Sequence, residues 1–456
     1  MLTWQDYLKA TDKIEFITKA ISEYQSSPDY LIAVDADQYE KQRNTTITRF
    51  VHWFYKASGQ PIVDTTASNN HIASNFFHIL NRDRCTYSLG NGVTFANDRD
   101  GGTDTKGKLG NDFDTVLYSA AFDALEHGVS YLFWNLDRVY EFKMTEFCPL
   151  FDEETGALRA GIRFWSVEWN KKPVQVRLYT EDGVTAFRTR EGSSGLDLVM
   201  LEEQKPYKIK VAANAADGEV IVGGSNYPSL PIVPLYGSSR KQSTLVGVKE
   251  SIDAYDLICS GFANDLEDCA EAYWIISDAM GMQPKDIQRF REQLKFFHVG
   301  VADSETPVTP YTQPIPTEAR MNFLETIRQQ LFRDFSVLDV TTVSAEAKTA
   351  TEIDAAYQPM DAEADNFEYQ IITAVRQLLA LQGIDDVPQF KRNRVVSQKE
   401  ITEMVMMAAD YLDRETILRK LTFIDVDEIE KILQNTDAES VSGMPTMKQL
   451  QEAMNE

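Results

Sequence analysis

The chain has 456 residues, 43% of them hydrophobic, and a formal net charge of −25. That length exceeds one compact core and predicts two to four parts, while the acidity excludes a sequence-reading nucleic-acid binder with a basic face. No run of about 18 apolar residues exists, and MLTWQDYLKATDKIEF has neither a basic start nor an apolar stretch, so no membrane span or secretory signal is expected and the chain is placed in a cytoplasm.

In chain order, helices are expected over Trp4 to Tyr24, Ala36 to Tyr55 and Asn69 to Leu80, followed by an extended piece from Thr86 to Phe95. NDRDGGTDTKGKLGND, from Asn97 to Asp112, reads as a polar Gly-rich loop, and Phe113 to His127 as a helix ending before Gly128. From 129 to about 222 the period changes to two. VSYLFW, RVYEFKM, GIRFWSVEW, PVQVRLYT and GVTAFRTR are β-rich segments separated by turn residues, which predicts an antiparallel sheet or small sandwich inserted between helical parts. Residues 214–234, with their Gly, Ser and Pro, read as a connector.

The next stretch carries the strongest pattern. Leu245, Val248, Ile252, Tyr255, Cys259, Phe262, Leu266, Cys269 and Tyr273 alternate at spacings of three and four, which predicts one helix roughly 44 Å long. Its other faces carry Asp253, Asp256, Asp265, Glu267, Asp268 and Glu271, so a narrow stripe must find a partner surface. A short extended piece follows from Trp274, then an amphipathic segment from Lys285 to Phe297 and the proline-rich PVTPYTQPIPTEAR. Thr317 is placed to cap a helix running to about Phe335, with Phe323, Leu324, Ile327, Leu331 and Phe335 on one face. The chain thus leaves and returns to one place, an α-hairpin with a small α/β tip. VLDVTTVSAEAKT interrupts the helices, and a long helix resumes near Ser344 and ends at Gln382-Gly383. Ser397 with Glu400, and Asp425 with Glu428, form capping boxes in a last helical region.

Catalytic and metal chemistry is not indicated. Gly102 to Lys108 satisfies seven positions of a phosphate-binding loop, but Leu109 stands where a hydroxyl would hold magnesium. Asp98, Asp100, Asp104 and Asp112 hint at calcium without the bidentate Glu of an EF-hand. The five histidines, His52, His71, His78, His127 and His298, are scattered singly, with no HExxH motif among them. Cys85, Cys148, Cys259 and Cys269 form no CxxC pair and read as reduced, buried thiols. No catalytic residue, cofactor or metal site is assigned.

The order of parts, together with several motifs, resembles the portal proteins of tailed bacteriophages, in their long-tailed branch. SIDAYDLICSGFANDLED after PIVPLY resembles the family's stem helix, KTATEI at Lys348 to Ile353 the start of the long helix beyond the tunnel loop, and NNHIASNFFHILNRDRCTYSLGNGVTF an N-terminal segment. The resemblance spans nearly the whole chain. It implies a predominantly helical α+β portal fold: a wing over 1–242 with its β-rich insertion at about 129–222, stem helices at 243–273 and 317–336, and a clip at 274–316. A tunnel loop would follow at 337–347, a long wing helix at 348–390, and a crown and tail at 391–456.

It also implies a ring, expected to hold twelve subunits, at one capsid vertex of the virion, assembled in the host cytoplasm. Double-stranded DNA would pass through without sequence specificity, inward at packaging and outward at ejection. The other partners would be the terminase large subunit, scaffold and major capsid proteins, and head-completion adaptor proteins, with no membrane and no enzymatic activity. Asp253, Asp256, Asp265, Glu267, Asp268 and Glu271 become candidates for the channel wall, where acidity would disfavour sticking of DNA. Val340, Thr341, Thr342, Val343, Ser344, Glu346 and Lys348 become candidate tunnel-loop contacts, and Lys285, Asp286, Arg289, Arg291 and Glu292 candidate docking residues in the clip. Two alternatives stay open: a monomeric helical scaffold or adaptor, and a nucleotide hydrolase using the Gly102 to Lys108 loop.

Overall fold

The computed structural model describes residues 2–55, 59–63, 67–99, 104–166, 173–190, 196–214, 218–268, 273–276, 308–311, 316–339 and 350–394, with short pieces at 405, 407–408, 411 and 416–418. The chain forms two compact units, Met1–Arg392 and Asn393–Glu456. In the second unit Val405 is buried while Met407 and Tyr411 are exposed. The capping boxes expected at 397–400 and 425–428 lie outside the described residues.

The first unit mixes helices and antiparallel sheets. Its N-terminal part holds three helices where two were expected: α1 (Trp4–Lys9), α2 (Lys13–Gln25) and α3 (Pro28–Glu40). Local caps set these breaks. Thr3 forms a capping box with Asp6, Asp12 accepts the N–H groups of Ile14 and Glu15, and Ser27 caps α3 with Pro28 in its first turn. The helix expected over 36–55 stops at Glu40, because Gln42 takes a φ of 57° and the Asn44 side chain accepts the N–H groups of Thr46 and Ile47. A hairpin of β1 (Trp53–Tyr55) and β2 (Pro61–Val63) follows.

Residues 69–75 are not helical. Helix α4 spans Phe76–Leu89, so the extended piece expected from Thr86 shrinks to β3 (Val93–Phe95). The expected Gly-rich loop contains two short helices, α5 (Ala96–Arg99) and α6 (Thr105–Leu109). Helix α7 (Phe113–His127) matches its expectation and stops at Gly128, whose φ is 94°. A Cβ there would also stand 2.7 Å from the Gln242 backbone, so glycine is required twice over.

The strands expected between 129 and 222 form, together with two in the supposed connector. In order they are β4 (Val129–Asn135), β5 (Arg138–Lys143), β6 (Phe147–Phe151), β7 (Leu158–Trp165), β8 (Gln175–Thr180), β9 (Gly183–Thr189), β10 (Leu198–Lys205), β11 (Lys208–Asn214), β12 (Gly218–Ser225) and β13 (Ile232–Tyr236). Strands β6 to β10 make a five-stranded antiparallel meander, β11 and β12 a hairpin, and β13 returns to pair with β4 beside β5. Phe133 lies at the centre of this region, with ring centroids of Phe142 and Tyr179 at 5.3 and 5.2 Å.

The long helix α8 spans Lys249–Asp268, about 30 Å rather than 44 Å. Residues 244–248 are turns, with Gly247 at a φ of 87°. Tyr273, expected on the helix, lies in β14 (Tyr273–Ile276), which pairs with β15 (Val308–Tyr311). Pro310 lies opposite Trp274, and among the described residues both strands are edges, where proline is tolerated. Helix α9 (Thr317–Asp334) begins after Pro316, so Thr317 is its first helical residue and not its cap. Helix α10 (Ala350–Ala380) is followed by Gly383 at a φ of 71° and by β16 (Pro388–Phe390), which pairs with β3. One continuous core joins α2, α3, α7, strands β4 to β10 with β13, and the Phe367 to Leu379 stripe of α10. Cys85 and Cys148 are buried thiols and Cys259 is a half-buried one, while Cys269 lies outside the described residues. No helix among the described residues is long and apolar enough to cross a membrane.

Candidate functional site

The candidate site is the α8–α9 pair, the elements whose spacing and charge stood out in the sequence. Leu245, Val248 and Ile252 pack against Ile327, Leu331, Phe335 and Val337, with Phe77 and Leu80 of α4 closing a second core. Tyr255 meets Phe76 edge-on at 5.0 Å. Arg328 joins Asp339 at 2.6 Å and Glu325 at 2.9 Å, and Arg320 pairs with Asp265. Among the described residues the stripe is covered along its first half. Leu266 is 57% exposed, and Leu257, Met321 and Phe323 also face outward. Between the helices runs a groove of about 470 Å³ lined by Leu257, Ile258, Gly261, Ala319, Arg320 and Phe323.

The polar face of α8 has a use that the sequence did not disclose. Asp256, Ser260 and Asn264 recur every four residues, so they line one face of the helix. The extended segment before α4 runs antiparallel along it. Ser74 donates its N–H to Asp256 Oδ1 at 2.9 Å, Ile72 to Ser260 Oγ at 2.9 Å, and Asn70 to Asn264 Oδ1 at 2.7 Å. Alternate backbone N–H groups of an extended chain thus meet side-chain acceptors one helical turn apart. Asn44 Nδ2 adds a bond to Asp256 Oδ2 at 2.8 Å, and Asp253 accepts from Tyr39, Thr46 and Lys249.

This geometry gives two of the expected channel-wall residues partners inside the chain. Asp256 is 1% exposed, with both oxygens bonded inside the chain. Burial raises its carboxyl above the ordinary value, against the hydrogen bonds from Ser74 and Asn44. At Asp253 burial acts in the same direction, but the hydrogen bonds from Tyr39, Lys249 and Thr46 outweigh it and hold the carboxyl below its usual range. Asp253 and Asp256 tie residues 39–74 to α8. Asp265 is held by Arg320, and Glu267 is exposed. Asp268 ends α8, and its side chain lies outside the described residues, as do Glu271, the 340–348 segment with Val340, Thr341, Thr342, Val343, Ser344, Glu346 and Lys348, and the 285–292 segment with Lys285, Asp286, Arg289, Arg291 and Glu292.

In the described part of the phosphate-like loop, two backbone N–H groups are already bonded to carboxylates. The Asp104 carboxylate accepts Gly107 N–H at 2.8 Å and Asp98 accepts Thr105 N–H at 2.6 Å, so acids occupy two of the N–H groups a phosphate would use. Sequence reading also missed a grouping of Asp37, Glu126 and His127. No local motif signals it, because Asp37 is 90 residues from His127.

Comparison with known proteins adds the following. Residues 35–441 match the family model described as phage portal protein, SPP1 Gp6-like. The portal protein of Clostridium phage phiCD119 is 23% identical over 396 residues, covering 80% of this chain and 84% of that protein. The portal protein of Bacillus phage SPP1 is 22% identical over 419 residues, covering 86% and 79%. Among solved structures, a chain in the virion of a native gene transfer agent particle aligns over 75% of this chain and 87% of that one, at 11% identity and a TM-score of 0.38. An HK97 family phage portal protein from Corynebacterium diphtheriae aligns over 45% and 70%, at 11% identity and a TM-score of 0.26.

Proposed function

Because the chain belongs to the SPP1 Gp6-like family of phage portal proteins, we propose that it forms a ring of twelve copies at one capsid vertex, through which double-stranded DNA enters at packaging and leaves at ejection. The observation that carries this reading is the family match over residues 35–441. The α8–α9 pair supports it: two packed helices with an uncovered apolar face suit repetition around a closed ring, where one patch of each copy meets a different patch of the next.

In this reading α8 and α9 are the stem. Residues 274–316 form the clip that docks the terminase large subunit and later the head-completion adaptors, with Lys285, Asp286, Arg289, Arg291 and Glu292 as its contacts. Residues 337–347 form the tunnel loop, from which Val340 to Ser344 and Glu346, with Lys348 just beyond it, reach the duplex backbone. The wing, 1–242 with 348–390, and the crown, 391–456, meet scaffold and major capsid proteins. Asp265, Glu267, Asp268 and Glu271 supply the acidic wall, where carboxylates repel phosphate and keep DNA mobile. The ring catalyses no reaction; the force comes from the terminase.

Sedimentation of the purified chain tests the assembly. A closed ring of twelve would have a mass of about 620 kDa, and Leu257→Glu with Phe323→Glu should shift it toward the 51.7 kDa single chain. A wild-type protein that stays a single chain at every concentration and ionic strength would refute the proposal and favour the scaffold alternative.

A further inference from the structure

Helix α3 crosses the C-terminal end of α7, and three potential ligands converge there. Asp37 Oδ1 lies 3.2 Å from His127 Nε2, and Glu126 Oε1 lies 3.4 Å from the same nitrogen. Glu126 is 2% exposed and His127 3% exposed. The surrounding charges are already matched elsewhere: Lys143 reaches Asp123 at 3.0 Å, and His78 reaches Glu40 at 2.6 Å.

The arrangement is one donor short. Nε2 carries at most one proton, yet two carboxylate oxygens point at it, and Glu126 Oε1 has no hydrogen-bond partner. Both separations exceed the roughly 2.7–2.9 Å of a charge-assisted hydrogen bond. They match instead the spacing between neighbouring ligands around a tetrahedral ion with bonds of about 2.0–2.2 Å, which is close to 3.4 Å. The end of α7 adds the negative pole of its dipole, which favours a cation. Asp37 is the least buried of the three, its side chain 28% exposed, so the cluster opens to solvent on that side.

We propose that Asp37, Glu126 and His127 bind one divalent transition-metal ion, zinc foremost, which clamps α3 to the end of α7. One imidazole with two carboxylates is a mixed nitrogen and oxygen set of the kind such ions accept, and a water can complete the sphere. The ion would supply the charge that a single imidazole proton cannot share between two acids.

Cobalt titration of the full-length, tag-free protein tests this. One Co²⁺ per chain should bind, replacing the pale spectrum of the aqueous ion with stronger visible bands, and Asp37→Asn or His127→Gln should weaken binding at least tenfold. The proposal is overturned if the spectrum remains that of the aqueous ion, or if it develops equally in both variants. Should the variants not fold, zinc-edge absorption of the wild-type protein at one equivalent decides instead. Imidazole scattering supports the site, and its absence overturns it.

Discussion

Replacing Asp256 with Ala isolates the zipper along α8. The substitution removes the oxygens that Ser74 N–H and Asn44 Nδ2 reach among the described residues, and Asn44 is itself buried. Each buried donor left without an acceptor costs about 1–3 kcal/mol. The buried carboxylate carries its own desolvation cost, which the variant relieves, so the net loss should be about 2–4 kcal/mol, large against a typical stability of roughly 5–15 kcal/mol. Hydrogen exchange read on a peptide spanning 70–74 should then accelerate about 30- to 700-fold if the segment lifts from the helix. Glu267→Ala, on the exposed surface of the same helix, should stay within about 0.5 kcal/mol of the parent. Asp256→Asn should fall between, since it keeps one acceptor but turns an NH₂ toward the Asn44 NH₂. Equal exchange in the Asp256→Ala and Glu267→Ala proteins would refute the assignment of Asp256 to internal structure and return it to the channel wall.

Two further outcomes follow from other parts of the first unit. Gly161→Ala in β7 should cost about 3 kcal/mol in a denaturation experiment, because the new Cβ would lie 1.9 Å from Phe147 Cζ inside the aromatic core; an unchanged midpoint would show that Phe147 has room to move. Burial and the neighbouring Asp123 raise the carboxyl of Glu141 to about 8. The folded state therefore keeps a proton that the unfolded chain releases near its ordinary value of 4.5, so stability should fall as pH rises from about 4.5 to about 8 and level off above that. Glu141→Gln should flatten that part of the melting-temperature profile, and a slope identical to the parent would count against the assignment.

The sequence disclosed what repeats locally. Helices α7 and α10 were legible because their apolar stripes are long and each is followed by a glycine at positive φ, Gly128 and Gly383. The start of α8 was not, because Leu245 and Val248 keep helical spacing while sitting on turns: burial fixes their positions, and Gly247 breaks the helix between them. Strands β12 and β13 hid among the Gly, Ser and Pro of an apparent connector, since β13 is defined by pairing with β4 about a hundred residues earlier.

The site shows the same division. Acidic residues on α8 were visible, but their partners Tyr39, Asn44 and Ser74 lie 182 to 214 residues away, so carboxylates tied inside the chain and carboxylates facing out looked alike. Asp37 and His127 were likewise joined only by the packing of α3 on α7.

End-on electron-microscopy averages of the purified protein test the central claim most directly. A closed ring of twelve copies, its central opening lined by the outer carboxylates of α8, is the expected image. Single particles of one chain, or a closed disc with no central opening, would contradict it.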